Sequence, residues 1–282
     1  MEWLTENKLP VGRWAKDGVN WLIDNAGFLF DALSVFLKSI IDGLLWLLEL
    51  PHPLLFAGLV AAFAWWLKRS IPLVVFAAGS LLFIINQGYW DEMIKTLALI
   101  LASAGVCMAV GVPVGILAAH NPRFSSFLRP VLDLMQTIPT FVYLIPALIL
   151  FGLGMVPGLV ATVIFALPAP VRLTELGVKS TPKQLIEAGQ AFGATPSQLL
   201  WKVELPWALP QIMAGLTQTI MLSLSMVVIA ALVGAPGLGV PVVRALNTVN
   251  IAKGFEAGLV IVLVAILLDR LCRVNETSKG GN

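Results

Sequence analysis

The sequence predicts an all-α integral membrane protein: seven transmembrane helices, preceded by an amphipathic helix lying in the membrane interface. Three observations lead there. First, 58% of the 282 residues are hydrophobic and 12% charged, with mean hydropathy +0.90. A soluble domain carries about 45–50% apolar and about 25% charged residues, so this chain has too little polar surface for a water-soluble globule. Second, apolar stretches of membrane-spanning character fall at 52–67, 70–86, 95–119, 130–151, 155–171, 209–233 and 256–273. Third, basic residues occupy alternate loops: Lys68 and Arg69; Arg123 and Arg129; Arg172, Lys179, Lys183 and Lys202; Arg270, Arg273 and Lys279. The loops between carry Asp91 and Glu92, or the neutral GLGMVPG, or only Arg244 and Lys253. The positive-inside rule then sets the N-terminus outside and the C-terminus in the cytoplasm, with 172–207 cytoplasmic.

Each segment follows from its own residues. Within 1–50, Asp17, Asp24, Asp31 and Lys38 recur every seven positions, and Asp42 and Glu49 continue the row. Seven residues make about two helical turns, so these charges share one face opposite Trp21, Phe28, Phe36, Ile40 and Leu44. That pattern suits a helix lying in the bilayer surface. An eighth span over 32–50 would instead carry Lys38 and Asp42 into the bilayer, at roughly 2.5–3.5 kcal/mol each. Glu2 and Glu6 exclude the basic start of a secretory signal. Segment 51–90 holds the first two spans, 91–273 the remaining five, and 274–282 a polar, frayed tail.

The chemistry of an enzyme is missing. The sequence has no GxxxxGK[ST] loop for phosphates, no HExxH, no GxSxG and no SxxK. His52 and His120 read as exposed and unpartnered. Cys107 and Cys272 read as buried small hydrophobes rather than metal ligands. The expectation is no catalytic residue, no metal and no cofactor in this chain. A net charge of +2 with scattered Arg and Lys excludes nucleic acid as a partner. Passage, signalling or scaffolding across a lipid membrane remains.

The polar stretch 187–206, EAGQAFGATPSQLLWKVELP, carries paired helix signals. Thr181-Pro182 with Gln184, and Thr195-Pro196 with Gln198, each read as a capping box with Pro at the first helical position. Gly193 between them suits the left-handed residue that ends a helix. The expectation is two short helices, 182–192 and 196–203, meeting at a corner on Gly193, with Pro206 stopping the second before the sixth span.

On those residues the stretch resembles the EAA loop of permease subunits in binding-protein-dependent ABC importers. Glu187 and Ala188 open it, Gly193 follows six positions after Glu187, and after nine intervening residues come Val203, Leu205 and Pro206. Gly189 stands for the third-position Ala of the pattern and Val203 for Ile. The stretches LDLMQTIPTFVYLIPALILFGLG (132–154) and LSLSMVVIAALVGAPGLG (222–239) are similar to the glycine betaine/choline/proline importer permeases, with the choline importers of proteobacteria as nearest match. The resemblance implies a type I ABC importer permease fold and a homodimer of permeases. Two separate ATPase subunits would bind ATP and Mg, and an external substrate-binding protein would deliver a quaternary ammonium solute. It also implies a coupling role for Glu187, Ala188, Gly193, Ala194, Thr195, Leu205 and Pro206. Importers of the methionine or sulfonate type share this architecture. A channel or ion-driven carrier gives no reason for the elbow, and a purely structural or sensory subunit leaves the polar residues of the fourth span idle.

Polar groups within spans mark the path. The fourth span holds Gln136, Thr137, Thr140 and Tyr143 interleaved with Pro139 and Pro146, whose missing N–H groups free backbone carbonyls, so a broken, polar-lined helix is expected there. On the sixth, Thr219, Ser223 and Met226 fall on one narrow face with Gly215 and Ala230. These two spans are expected to flank the pathway. The same small residues also suit helix–helix contacts, as do Gly111 with Gly115 and Gly154 with Gly158. Asp133 is expected to pair with Arg129, and Asp269 with Arg273. The Trp residues (Trp3, Trp14, Trp21, Trp46, Trp65, Trp66, Trp90, Trp201 and Trp207) sit in the N-terminal region, at span ends or in the elbow. They supply no cage for a cation, and only Phe141 and Tyr143 are aromatic along the path. Substrate selection is therefore expected to reside in the binding protein.

Overall fold

The structure, a computed structural model of the single chain, describes residues 10–272, with the side chains of residues 11 and 15 excepted. The tail 274–282, the partner Arg273 expected for Asp269, and Trp3 lie outside the described residues. Every regular element within them is helical.

Helix α1 (Val11–Glu49) turns its charges outward: Asp17, Asp24, Asp31, Lys38, Asp42 and Glu49 are all exposed. Leu37 and Ile41, one turn apart on another face, are buried against Leu99, Val156 and Leu159. The Phe30 ring meets Phe151 edge-on, with centroids 5.7 Å apart. The chain then bends by 96° into α2 (Pro53–Lys68). Pro53 opens that helix without loss, because a first-turn N–H has no partner inside a helix. Helix α3 (Ile71–Asn86) returns alongside α2. Ala57 and Ala77 are buried in the cluster around Leu81 and Ile84. Each of α2 and α3 has 16 residues, about 24 Å of helix.

Helix α4 (Trp90–His120) is the longest of the apolar core helices. It lies against α8 (Pro168–Lys179), which continues α7 (Met155–Ala166) as one 25-residue helical run. Two glycines set that contact. A methyl carbon added at Gly111 would fall 2.8 Å from Pro170 Cγ, and one at Gly115 would fall 2.6 Å from the Val171 carbonyl oxygen. On its other side α8 meets α11 (Leu205–Ala231), where a Cβ on Gly215 would lie 3.1 Å from Pro170 Cα. In lipid, where tails are as apolar as Leu, such backbone approach is the main source of helix association. The contact role expected for Gly111 and Gly115 is what they perform. Of the other pair, Gly158 closes on Ala230 at 2.9 Å, whereas Gly154 precedes α7 with φ +130.

The fourth span, 130–151, is broken, as its prolines imply. Helix α5 (Pro122–Thr137) and helix α6 (Thr140–Phe151) meet at 93°. Pro139 disfavours helical geometry at the residue before it, and Ile138 is extended at φ −65, ψ 129. By length and composition, four unbroken helical runs suit a crossing, the pairs α1–α2 and α5–α6 suit one bent crossing each, and α3 is a shorter apolar helix. All seven apolar segments are thereby accounted for. A further element, α12 (Gly239–Asn247), lies between α11 and α13 (Ile251–Cys272) in a stretch expected to be loop.

Charge separates the two ends of the bundle. Glu92 and Glu256 lie within electrostatic reach of Tyr89, where α4 and α13 begin. At the far ends of these helices are His120 and Arg270. His120 is not unpartnered: its Nε2 is 2.9 Å from Glu204 Oε2, and its Nδ1 is 2.9 Å from the Ile116 carbonyl. Asp133 pairs with Arg172 on α8 and not with Arg129 one turn away. Arg129 instead approaches Glu175 at 3.7 Å, and Glu175 also accepts bonds from Ser125 Oγ and Lys179 Nζ. Tertiary contact between α5 and α8 has displaced the expected in-helix pair.

Candidate coupling elbow and translocation face

The elbow is built from three local devices. Helix α9 (Lys183–Ala191) ends at Phe192, and Gly193 follows with φ +76. Gly193 N–H donates to the Gln190 carbonyl at 2.9 Å, and Ala194 N–H donates to the Gly189 carbonyl at 3.0 Å. These are the two bonds of a Schellman motif, which requires a left-handed residue at the position Gly193 occupies. Thr195 then caps α10 (Pro196–Leu199) reciprocally: its N–H donates to Gln198 Oε1 at 2.9 Å, and its Oγ1 accepts from Gln198 N–H at 3.3 Å. The third device is close approach. A Cβ on Gly189 would lie 2.6 Å from Leu199 Cδ2, so glycine here lets α9 fold onto α10.

Two expectations are corrected here. The first capping box does not form: the helix begins after Pro182, whose ψ of 132 is extended, and buried Thr181 Oγ1 makes no hydrogen bond among the described residues. Nor does Pro206 stop the second helix. Residues Leu200–Glu204 widen into a π-turn, with Leu205 N–H reaching back to the Leu200 carbonyl. A proline ring clashes with the carbonyl four residues before it in an α-helix, and a wider turn relieves that clash. Helix therefore runs unbroken over Pro196–Ala231, 36 residues from elbow to membrane core.

Of the residues expected in coupling, Glu187, Ala188, Gly193 and Thr195 are exposed. Ala194 is half-buried, Pro206 is exposed, and Leu205 packs on Val178, Ala208 and Ile212. The elbow also presents Phe192 with 92% of its surface exposed, and Trp201 with 69%. Sequence reasoning did not single out Phe192. Its signal is a large aromatic residue immediately before the corner glycine of a polar segment.

The residues expected to line the path divide into two groups. Gln136, Thr137, Pro139, Thr140 and Tyr143 gather at the α5–α6 bend. Pro139 cannot donate to the Met135 carbonyl; the Tyr143 hydroxyl donates to it instead, and lies 3.2 Å from the Leu134 carbonyl. Tyr143 thus staples the two helices across the corner. Thr219, Ser223 and Met226 are buried within the chain. Thr219 Oγ1 donates to the Gly215 carbonyl, Ser223 is bonded to Ser103 Oγ at 3.4 Å, and Met226 packs with Leu144, Ala161 and Tyr143. That face of α11 is packed inside the chain rather than lying open: Ser223 meets α4, and Met226 meets α6. Among the described residues, no group of three or more His, Cys, Asp or Glu is placed to hold a metal ion.

Comparison with known proteins agrees with this geometry. Residues 111–278 match the family described as binding-protein-dependent transport system inner membrane component. The glycine betaine transport system permease protein OpuAB of Bacillus subtilis is 47% identical over 277 residues, covering 97% of this chain and 98% of that protein. The glycine betaine/proline betaine transport system permease protein ProW of Escherichia coli is 43% identical, over 93% of this chain and 74% of that protein. Among solved structures, an inward-facing MetNI methionine ABC transporter aligns with TM-score 0.58 and 25% identity, over 68% of this chain and 95% of that one. The chain belongs to the binding-protein-dependent permease family: it is a multi-pass membrane subunit of an ABC importer, with the type I fold, working with ATPase subunits and a binding protein.

Proposed function

We propose that this permease imports a quaternary ammonium compatible solute: glycine betaine, proline betaine or choline. The support for the solute class is the similarity to the glycine betaine permeases above, extending over nearly the whole chain. In this reading two copies of the chain pair in a bacterial inner membrane, N-termini outside and C-termini in the cytoplasm. Two ATPase subunits bind ATP and Mg beneath them. The grouping of basic residues at the elbow end of the bundle, with Glu92 and Glu256 at the other, supports that orientation. The 96° bend after α1 supports its lying along the membrane plane while α2 crosses.

The observation that carries the coupling role is the elbow itself. A water-facing corner holds its shape through a Schellman motif and a capping box, exposes Phe192, and runs without a break into α11. ATP closes the ATPase pair, the two elbows move together, and the helices behind them switch from inward-open to outward-open. The binding protein then delivers solute to a path at the α5–α6 bend, lined by Gln136, Thr137, Pro139, Thr140 and Tyr143. Behind the bend Met226 packs on α6, while Thr219 and Ser223 lie buried further along α11. No aromatic cage stands there, so selection falls to the binding protein.

The test is uptake of labelled glycine betaine into vesicles reconstituted with the chain, its binding protein, and the ATPase present or absent. Uptake should require all three. Uptake without ATPase would defeat the reading. With the ATPase present, replacing Gln136, Thr140 and Tyr143 together should abolish uptake, and undiminished uptake would move the path elsewhere.

A further inference from the structure

Away from the elbow, the groove between α3 and α13 has the polarity of a lipid. At one end a hollow of ≈ 620 Å³ is lined by Lys68, Ser70 and Arg270, with Pro72, Leu73 and Phe76 beneath them. A second hollow of ≈ 340 Å³ continues between the same two helices, along Gly79, Phe83, Leu259 and Leu263, and shares Phe76 with the first. Pro72 to Phe83 is about 16 Å along a helix, a large part of the length of one acyl chain. The basic end lies at the level of the exposed Trp65 and Trp66, and Trp rings favour the membrane–water interface. Arg69 follows Lys68 and adds positive charge at that end, and among the described residues Asp269 stands next to Arg270.

A soluble anion needs only the basic end. An apolar track leading away from it fits an amphiphile. We propose that this groove holds one anionic phospholipid, with its phosphate against Arg270 and Lys68 and one acyl chain laid along Phe76, Gly79 and Leu263. Basic pockets at the headgroup level attract anionic lipids in this way. Gly79 forms part of the track wall, and a Cβ built on it meets nothing within 4 Å.

Native mass spectrometry of the full chain, purified in mild detergent and titrated with phosphatidylglycerol or phosphatidylcholine, tests the assignment. One phosphatidylglycerol per chain should be retained in preference to phosphatidylcholine. Arg270→Gln should weaken phosphatidylglycerol about fivefold and leave phosphatidylcholine unchanged, whereas Lys253→Gln at the other end of α13 should change neither. Gly79→Leu, whose Cβ meets nothing within 4 Å, should fill the track and weaken both lipids. Equal retention of the two lipids by the wild-type chain would overturn the proposal. So would displacement of phosphatidylglycerol by millimolar inorganic phosphate, which would mark a soluble-anion site. Unchanged lipid binding in Gly79→Leu together with loss of the dimer would instead assign the groove to a second copy of the chain.

Discussion

Replacing Gly193 with Val isolates the corner from everything around it. Gly193 has φ +76, and a Cβ built on it finds no atom within 4 Å. The substitution therefore meets no steric obstacle, and its cost is the backbone conformation alone. For a β-branched residue in the left-handed region that cost is about 2 kcal/mol. Escape to negative φ would break the bonds from Gly193 to Gln190 and from Ala194 to Gly189, at about 1 kcal/mol each. The two routes are similar in energy, so the corner loses its single shape. A shift of 2 kcal/mol lowers the population of the native corner about thirtyfold relative to its competitors. Gly193 is exposed, so the protein should insert and assemble normally. Solute transported per ATP hydrolysed, measured in reconstituted vesicles, should fall at least tenfold. Gly193→Asn tolerates the left-handed conformation and should retain most coupling. Normal transport per ATP in Gly193→Val would show that the corner does not transmit the motion.

Three further outcomes follow from other contacts. Gly115→Ala forces a methyl group toward the Val171 carbonyl from 2.6 Å and should lower stability in detergent by about 1–3 kcal/mol, read as a reduced melting temperature; an unchanged value would mean that α4 and α8 are not closely seated. Tyr143→Phe leaves the Met135 carbonyl without its donor and should cost about 1–3 kcal/mol, with slowed uptake and unchanged ATPase association. Phe192→Ser removes the most exposed aromatic of the elbow and should weaken co-purification with the ATPase by about tenfold, a loss ordinary for an aromatic anchor at an interface; undiminished association would place the docking surface elsewhere.

Much of this fold was legible from local signals, and the exceptions have physical causes. The Schellman corner at Gly193 and the Thr195–Gln198 cap depend on residues within six positions of each other, and the sequence carries them openly. The first capping box failed because Pro182, fixed in φ and extended in ψ, took the cap position from Thr181. The break in the fourth span was legible in its prolines, but hydropathy runs through it and gives no sign of the 93° angle. The pairs Arg172–Asp133 and His120–Glu204 join residues 39 and 84 positions apart by number, and only tertiary structure creates them. Burial of Thr219, Ser223 and Met226 likewise depends on which helix faces α11, which periodicity along α11 alone does not specify.

The unbroken rod from Pro196 to Ala231 has a mechanical consequence. His120 holds it at Glu204, and that contact divides the rod unequally. About 12 Å lies on the elbow side and about 40 Å on the membrane side. A rod pivoting at such a point is a lever with a gain of about three. A displacement of roughly 2 Å imposed on the elbow would swing the far end of α11 by roughly 6 Å, comparable to one helical turn. Under the proposed coupling role, small rearrangements at the ATPase surface would then suffice to open or close a path for a solute of betaine size, and the fulcrum, rather than the elbow, would set how far the far end of α11 travels.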